Sequence, residues 1–434
     1  MSISPQRRNE LVDALRRGTV PQRSLDALAI GLGRFEVAFD EELSKVAGGG
    51  ACFKAIRGEY GSGKTFCARW MQERAKRAGF VTSEVQVSET ETPLHRLETV
   101  YRRVIERLST TDQQSGAFRS IVDQWFHTLE SDVATEGASS SEARIEELLE
   151  TRLAAVSRQS PSFAAALRGY RRALIANDRD SADALLAWVA GQPNVSAAAK
   201  RAAGIKGDID HFGALSCVQG LLTVIRDCGQ SGLVLVLDEV ETLQRVRGDV
   251  RDKSLNALRQ LVDEVDSGRF PGLYLAITGT PSFYDGPQGM QRLAPLAQRL
   301  STDFSAEARF DNPRAPQVRL PGFELASLVE LGRRVRDLFA EGRATESRIR
   351  AMADDRYVED LARAVTGHLG GKVGVAPRLF LRKLIGDVLD RIDQFEEFDP
   401  RAHYKLTVKN EELTRVESAA VARESVDDVE IDLP

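Results

Sequence analysis

One glycine-rich segment, Gly58-Glu59-Tyr60-Gly61-Ser62-Gly63-Lys64-Thr65, constrains this chain more than any other. It fits the pattern G-x-x-x-x-G-K-[ST], an apolar run at residues 52–56 precedes it, and helix-forming residues follow it as far as Gly79. A strand, such a loop and a helix in that order present backbone N–H groups to phosphates. We therefore predict a nucleotide site here, with Lys64 on the β- and γ-phosphates of ATP and Thr65 as a ligand of Mg²⁺.

The runs around this motif predict an α/β fold. Residues 232–237 and 273–277 are apolar at consecutive positions, as in strands buried on both faces. A further strand is expected at 80–87, and residues 24–47 are predicted to be helical. The fold class is therefore a P-loop NTPase with a parallel sheet and helices on both of its faces.

The same patterns predict how the chain is divided. We expect N-terminal helices and the first part of the ATPase core at 1–93, a large helical insertion at 94–229, the second part of the core at 230–321, a helical lid at 322–395, and a tail at 396–434 that is acidic and disordered at its end.

Two acids, Asp238 and Glu239, stand at the end of the apolar strand predicted at 232–237. A carboxylate there faces the phosphate-binding loop, so Asp238 is predicted to hold the Mg²⁺ shell and Glu239 to polarise the attacking water. This is a Walker B pattern following the Walker A loop.

The next strand ends in Thr278-Gly279-Thr280, where either threonine could approach the γ-phosphate; an ordinary strand-ending turn is an equal alternative. Beyond it, Arg299 or, with less support, Arg292 could stabilise transition-state charge, in cis or from a neighbouring subunit. Arg378, at the start of the last helix, could reach the phosphates from the lid. Solvated arginines on helix surfaces are the competing interpretation for these three residues.

Composition limits the partners and the compartment. Lys and Arg number 59 against 64 Asp and Glu, a net charge of −5, which neither favours nor excludes nucleic acid. No stretch approaches the roughly 18 apolar residues of a membrane span, so we expect a cytoplasmic protein. Neither the four cysteines nor the five histidines have the spacing of a metal site.

These motifs together resemble an AAA+ ATPase of the origin-recognition-like or STAND-related branch, over about residues 20–395. The segment Ala29-Ile30-Gly31-Leu32-Gly33-Arg34 resembles the one that lies over the adenine in such proteins, which implies that Arg34 contacts the nucleotide. Fewer than 40 residues follow residue 395, so we expect no winged-helix DNA-binding domain after the lid.

Three longer runs, at 53–65, 88–95 and 270–281, resemble the ATP-binding proteins encoded in BREX bacteriophage-exclusion loci. This resemblance implies a bacterial protein that acts in phage defence beside a DNA methyltransferase, a phosphatase-like protein and other ATPases. It names no substrate. If DNA is bound, the basic clusters at 168–172 and 200–201 of the insertion are candidates, with a solvated helix surface as the commoner interpretation.

The sequence thus predicts an ATPase whose hydrolysis of ATP drives or gates a conformational change in a defence assembly. A protein that binds ATP, turns it over little or not at all, and recruits defence partners is the alternative. Whether the chain forms homo-oligomers stays open, because an arginine acting in trans would require a second subunit.

Overall fold

The computed structural model describes residues 3–135, 142–371, 374, 376–414 and 417–418. The predicted acidic, disordered end of the tail, 421–434, lies outside the described residues. None of the helices in the described ranges has the length and apolarity needed to cross a lipid bilayer.

Five parallel strands form one sheet, which confirms the predicted α/β fold. The strands are β1 Cys52–Arg57, β2 Phe80–Gln86, β3 Gly232–Asp238, β4 Leu273–Gly279 and β5 Gln317–Arg319, in the order β2-β3-β4-β1-β5. Asp238 is in register with Gln86 of β2, and Gly279 with Arg57 of β1. The carboxyl ends of the strands therefore meet at one edge of the sheet, where ligands bind in open α/β folds.

Helices surround this sheet on both faces. They are α1 Pro5–Arg16, α2 Gly33–Ala47, α3 Lys64–Arg77, α4 Leu97–Glu106, α5 Phe118–Thr135, α6 Glu142–Gln159, α7 Pro161–Ile175, α8 Arg179–Val189, α9 Ala197–Ala202, α10 His211–Asp227, α11 Gly248–Asp266, α12 Pro281–Asp285, α13 Ala294–Arg299, α14 Leu325–Ala340, α15 Glu346–Met352, α16 Asp355–His368, α17 Pro377–Arg382, α18 Asp390–Gln394 and α19 Pro400–His403. A π-helical turn, Lys383–Leu389, joins α17 to α18.

The expectation of one helix over 24–47 is wrong. Only a short 3₁₀ turn, Leu25–Leu28, precedes α2, and the chain between them passes through Gly31 at φ +73°. A right-handed helix cannot continue through that conformation, which glycine adopts readily because it has no Cβ.

Alternate residues of the central strands pack on opposite faces of the sheet. Leu233, Leu235 and Leu237 of β3 join a core formed with α4 to α11, whereas Val234 and Val236 join a core formed with α2 and α3. Because both sets are buried, β3 is apolar at every position up to Asp238. The helices between β2 and β3 thus share a continuous core with the sheet.

A third core lies among the C-terminal helices. It contains apolar residues of α14 to α18 together with Leu11, Val12 and Leu15 of α1. The first helix therefore packs on the C-terminal helices, and the chain crosses from them to the sheet twice, at 17–32 and again at 320–325.

Candidate functional site

The glycine-rich loop connects β1 to α3, which begins at Lys64. Gly61 and Gly63 have φ angles of +82° and +87°, which favour glycine, and they turn the chain into the helix. At Gly58 a Cβ atom would lie 2.3 Å from the hydroxyl of Ser62 and 3.3 Å from the Cβ atoms of Ser62 and Leu320, so a larger residue would force these side chains to shift. The hydroxyl of Ser62 is buried without a partner among the described residues, as expected of a group that serves a ligand.

Lys64 is folded back onto this loop. Its ammonium donates hydrogen bonds of 3.0 Å to the carbonyl of Gly58 and 3.3 Å to that of Glu59. The ring of Tyr60 lies over it, 5.0 Å from Nζ to the ring centroid, and a carboxylate oxygen of Glu241 is 3.7 Å away. The charge of Lys64 is thus held at the loop by groups that phosphate oxygens could replace.

Thr65 and Asp238 meet across the site. The Thr65 hydroxyl donates a 3.1 Å hydrogen bond to Oδ2 of Asp238, and the Thr278 hydroxyl donates to Oδ1. Thr278 is fully buried and also accepts a 3.2 Å bond from the backbone N–H of Glu239. A hydroxyl beside one carboxylate fits Mg²⁺, which takes one or two protein carboxylates and completes its shell with phosphates and water.

Thr280 lies elsewhere in the site region. Its hydroxyl is 2.9 Å from that of Ser282, and the residue occupies the position before α12 without a capping hydrogen bond from its side chain. Of the two threonines left open by the sequence, Thr278 is therefore the one that touches Asp238.

Glu239 is turned toward β2. Its oxygen Oε2 accepts a 2.8 Å hydrogen bond from the side-chain amide of Gln86, at the end of that strand. Its backbone has φ +60°, a left-handed conformation that costs a non-glycine residue roughly 1–2 kcal/mol. The bond thus holds the carboxylate at the edge of the sheet where β2 and β3 end.

Glu241 is a site residue that the sequence analysis missed. It is 4% exposed, both carboxylate oxygens lack a hydrogen-bond partner among the described residues, and burial raises its pKa while the nearby Lys64 ammonium opposes that rise. A buried carboxylate without hydrogen bonds is costly and marks a functional site. Three acids within Asp238-Glu239-Val240-Glu241 are the signal that could have found it.

One cavity of about 550 Å³ adjoins the glycine-rich loop, Glu239 and Glu241. Its polar wall contains residues 60–65, Glu239, Glu241, Thr242 and Arg245. Its apolar wall comes from α1 and the chain that leads to α2, from α3, from residues 320–323 and from the C-terminal helices. The apolar residues are Leu15, Val20, Pro21, Leu28, Ile30, Leu32, Phe66, Leu320, Phe323, Leu331, Pro377 and Leu381. An apolar pocket next to a phosphate-binding loop suits a nucleotide, with its base and phosphates at opposite ends.

A comparison with protein-family profiles matches residues 3–408 to the family described as BREX system ATP-binding protein BrxC/D. The chain belongs to this family. It is thus an ATP-binding protein of a BREX defence system, as its resemblance implied. No curated protein matches the chain in a sequence comparison.

The predicted arginines of this BrxC/BrxD family member lie in different places. Arg378 lines the cavity, but its guanidinium makes bonds of 3.1 and 2.6 Å to the two carboxylate oxygens of Glu417, which is 2% exposed. Arg299 pairs with Asp263 and Asp266, and Arg292 pairs with Asp252. Neither Arg299 nor Arg292 is among the cavity residues.

Arg34 also lies outside the cavity wall. Its guanidinium donates hydrogen bonds of 2.6 Å to the carbonyl of Ala308 and 2.8 Å to that of Arg319. In this conformation Arg34 holds the segment around β5 against α2.

The basic clusters of the insertion are partly neutralised. Arg168 binds Glu150 through two bonds, Arg171 pairs with Glu130 at 3.2 Å, and Lys200 pairs with Asp208. These contacts favour the solvated helix surface over a DNA site in this BrxC/BrxD family member, because a phosphate would have to displace each acid.

Proposed function

We propose that this protein is an AAA+-like P-loop ATPase that binds ATP with Mg²⁺ and hydrolyses it to reposition the C-terminal helices within a BREX defence assembly. The contact between the Thr65 hydroxyl and Asp238, next to Lys64, is the observation that carries this proposal. A metal-ligating hydroxyl, a carboxylate and a phosphate-binding lysine are the groups that phosphoryl transfer requires.

Each group has a distinct role in this proposal. Lys64 exchanges its carbonyl and carboxylate partners for phosphate oxygens, and Thr65 with Asp238 holds the metal ion. Mg²⁺ supplies neutralisation of charge on the β- and γ-phosphates. Glu239 orients the attacking water once it leaves Gln86.

The cavity walls support coupling of the nucleotide to a conformational change. Leu331, Pro377 and Leu381 belong to the C-terminal helices. Residues 60–66 belong to the glycine-rich loop and the start of α3, and Glu239 follows β3. A ligand that contacts both can favour one relative position over another, to the extent that its affinity differs between them. We propose that other proteins of the defence system detect this change, in the cytoplasm.

A scaffold that binds ATP without turnover is the second candidate. Two catalytic candidates are engaged elsewhere, since Glu239 is held by Gln86 and Arg378 by Glu417. If these contacts persist with ATP bound, the protein holds the nucleotide and recruits partners without hydrolysis.

Two measurements distinguish these candidates, namely nucleotide affinity and steady-state ATP hydrolysis. Both are made on the wild type, Lys64→Ala and Glu239→Gln, with and without double-stranded DNA. The ATPase proposal predicts that Lys64→Ala weakens binding and that Glu239→Gln binds ATP while losing about 10²–10³ in turnover. The Arg247→Ala variant is a control, because this exposed arginine does not line the cavity.

Tight binding of ATP with no turnover in any condition would reject the ATPase and favour the scaffold. Turnover that depends steeply on protein concentration and is lost in Arg299→Ala would indicate a trans-acting arginine in a homo-oligomer. Stimulation by DNA would add DNA as a partner.

A further inference from the structure

Arg245 is a cavity residue that none of the sequence motifs includes. It follows the 3₁₀ turn Val240–Gln244, which begins directly after Glu239. Its side chain is exposed and lines the nucleotide cavity together with the glycine-rich loop. The turn therefore places a guanidinium opposite the loop that binds phosphates.

The charge of Arg245 has no carboxylate partner in the part of the chain that the structure describes. Its Nη2 donates to the hydroxyl of Tyr60 at 3.4 Å, which is longer than a normal N–H···O bond. The other arginine of the cavity wall, Arg378, is held by the carboxylate of Glu417. Arg245 is thus the more readily available cation for an anionic ligand.

The position of Tyr60 indicates which part of the nucleotide Arg245 meets. The Tyr60 ring lies over Lys64, the residue that reaches the β- and γ-phosphates, and its hydroxyl contacts Arg245. Glu241 lies on the turn that Glu239 and Arg245 flank, whereas the apolar wall that suits the base comes from other elements. Arg245 therefore approaches from the γ-phosphate end.

We propose that Arg245 leaves Tyr60 and binds the γ-phosphate of ATP in cis. This inference rests on the proposed nucleotide site and assigns to it the cation that distinguishes ATP from ADP. A guanidinium forms two parallel bonds with phosphate oxygens, and charge at this place also stabilises the transition state of phosphoryl transfer.

Titration calorimetry of the full chain with Mg²⁺ and either a non-hydrolysable ATP analogue or ADP tests the binding role. For Arg245→Ala we expect an affinity for the triphosphate about 10-fold weaker and an affinity for ADP within about 2-fold of the wild type. Arg245→Lys should retain part of the preference, and Arg247→Ala should match the wild type. Equal losses for both nucleotides, or no loss, would overturn the proposal.

Arg245→Gln tests whether the charge is needed. Its side chain is polar but neutral, and it is shorter than that of arginine, so we expect it to behave like Arg245→Ala. A glutamine variant with wild-type preference for the triphosphate would show that the preference does not depend on the charge, and the proposal would be wrong.

Turnover distinguishes failure of this inference from failure of the ATPase proposal. If the wild type hydrolyses ATP, kcat of Arg245→Ala should fall by about 10³-fold, and KM should rise by about 10-fold with the weaker binding of ATP. An active wild type with an equally active Arg245→Ala would reject the catalytic role alone. A wild type without turnover would reject the ATPase proposal, while selective loss of triphosphate binding would still support Arg245 as the γ-phosphate ligand.

Discussion

The side-chain amide of Gln86 donates a 2.8 Å hydrogen bond to the carboxylate of Glu239, at the ends of two paired strands. The bond occupies the carboxylate of the proposed catalytic acid. Gln86→Ala should therefore release Glu239 and raise basal ATP turnover by about 10-fold, the effect of a hydrogen bond to a charged group. Unchanged or lower steady-state turnover in this variant would contradict the prediction.

The buried carboxylate of Glu241 should make stability depend on pH. Its pKa is raised by burial, assisted by the charges of Glu239 and Asp238 and opposed by Lys64. A raised pKa in the folded protein stabilises the fold at low pH, and this contribution is lost as pH rises through the folded-state pKa. Glu241→Gln should therefore gain stability relative to the wild type as pH rises from about 4 toward neutrality.

Urea unfolding at several pH values, without nucleotide or Mg²⁺, measures this difference. Glu89→Gln is a matched control, because Glu89 is exposed and the same chemical change there should leave the pH dependence as it is. A constant difference between Glu241→Gln and the wild type across this range would argue against a buried charged carboxylate.

Thr278 and Thr280 allow a paired test. Thr278→Val keeps the side chain's shape but removes the bond to Asp238 and one of the two acceptors of the Glu239 N–H. It should cost about 1–3 kcal/mol of stability and lower turnover by disturbing the metal ligand. Thr280→Val loses only the contact with Ser282 and should have the smaller effect on turnover. The reverse order would favour Thr280 as the γ-phosphate sensor.

Glu417 should compete with the nucleotide for Arg378. Both residues line the cavity, and Glu417 occupies two N–H groups of the guanidinium. Glu417→Gln should free Arg378 for phosphate and raise the affinity for ATP by about 10-fold. Glu411→Gln, at an exposed acid of the same segment, should leave the affinity unchanged. Weaker binding in Glu417→Gln would indicate a supporting role instead.

The order of apolar residues along the chain predicted the central strands of the sheet, because each of these strands has a distinct apolar run. Buried on both faces, β3 and β4 are apolar at consecutive positions. Asp238 is the last residue of β3, and Glu239 follows it directly. The loop at 58–65 was predictable for a similar reason, since its glycines meet backbone requirements set by their immediate neighbours.

Contacts between segments that are distant in the sequence could not be predicted from the residues of either segment alone. With three residues, β5 is too short to show a period, and it exists because it pairs with β1. The pairing of Arg378 with Glu417 depends on how the chain returns to the cavity after α19. Arg245 likewise gained significance only when the fold placed it beside Tyr60.

The two crossings between the C-terminal helices and the sheet restrict how these helices can move. A group of helices connected to the sheet at two points can rotate about the axis through those points, which is a hinge motion. Both tethers, 17–32 and 320–325, contribute residues to the cavity wall, so a bound nucleotide would sit along the pivot. In the proposed ATPase, small adjustments around the phosphates would therefore produce the largest displacement at the end of the C-terminal helices farthest from the pivot, where other proteins could detect it.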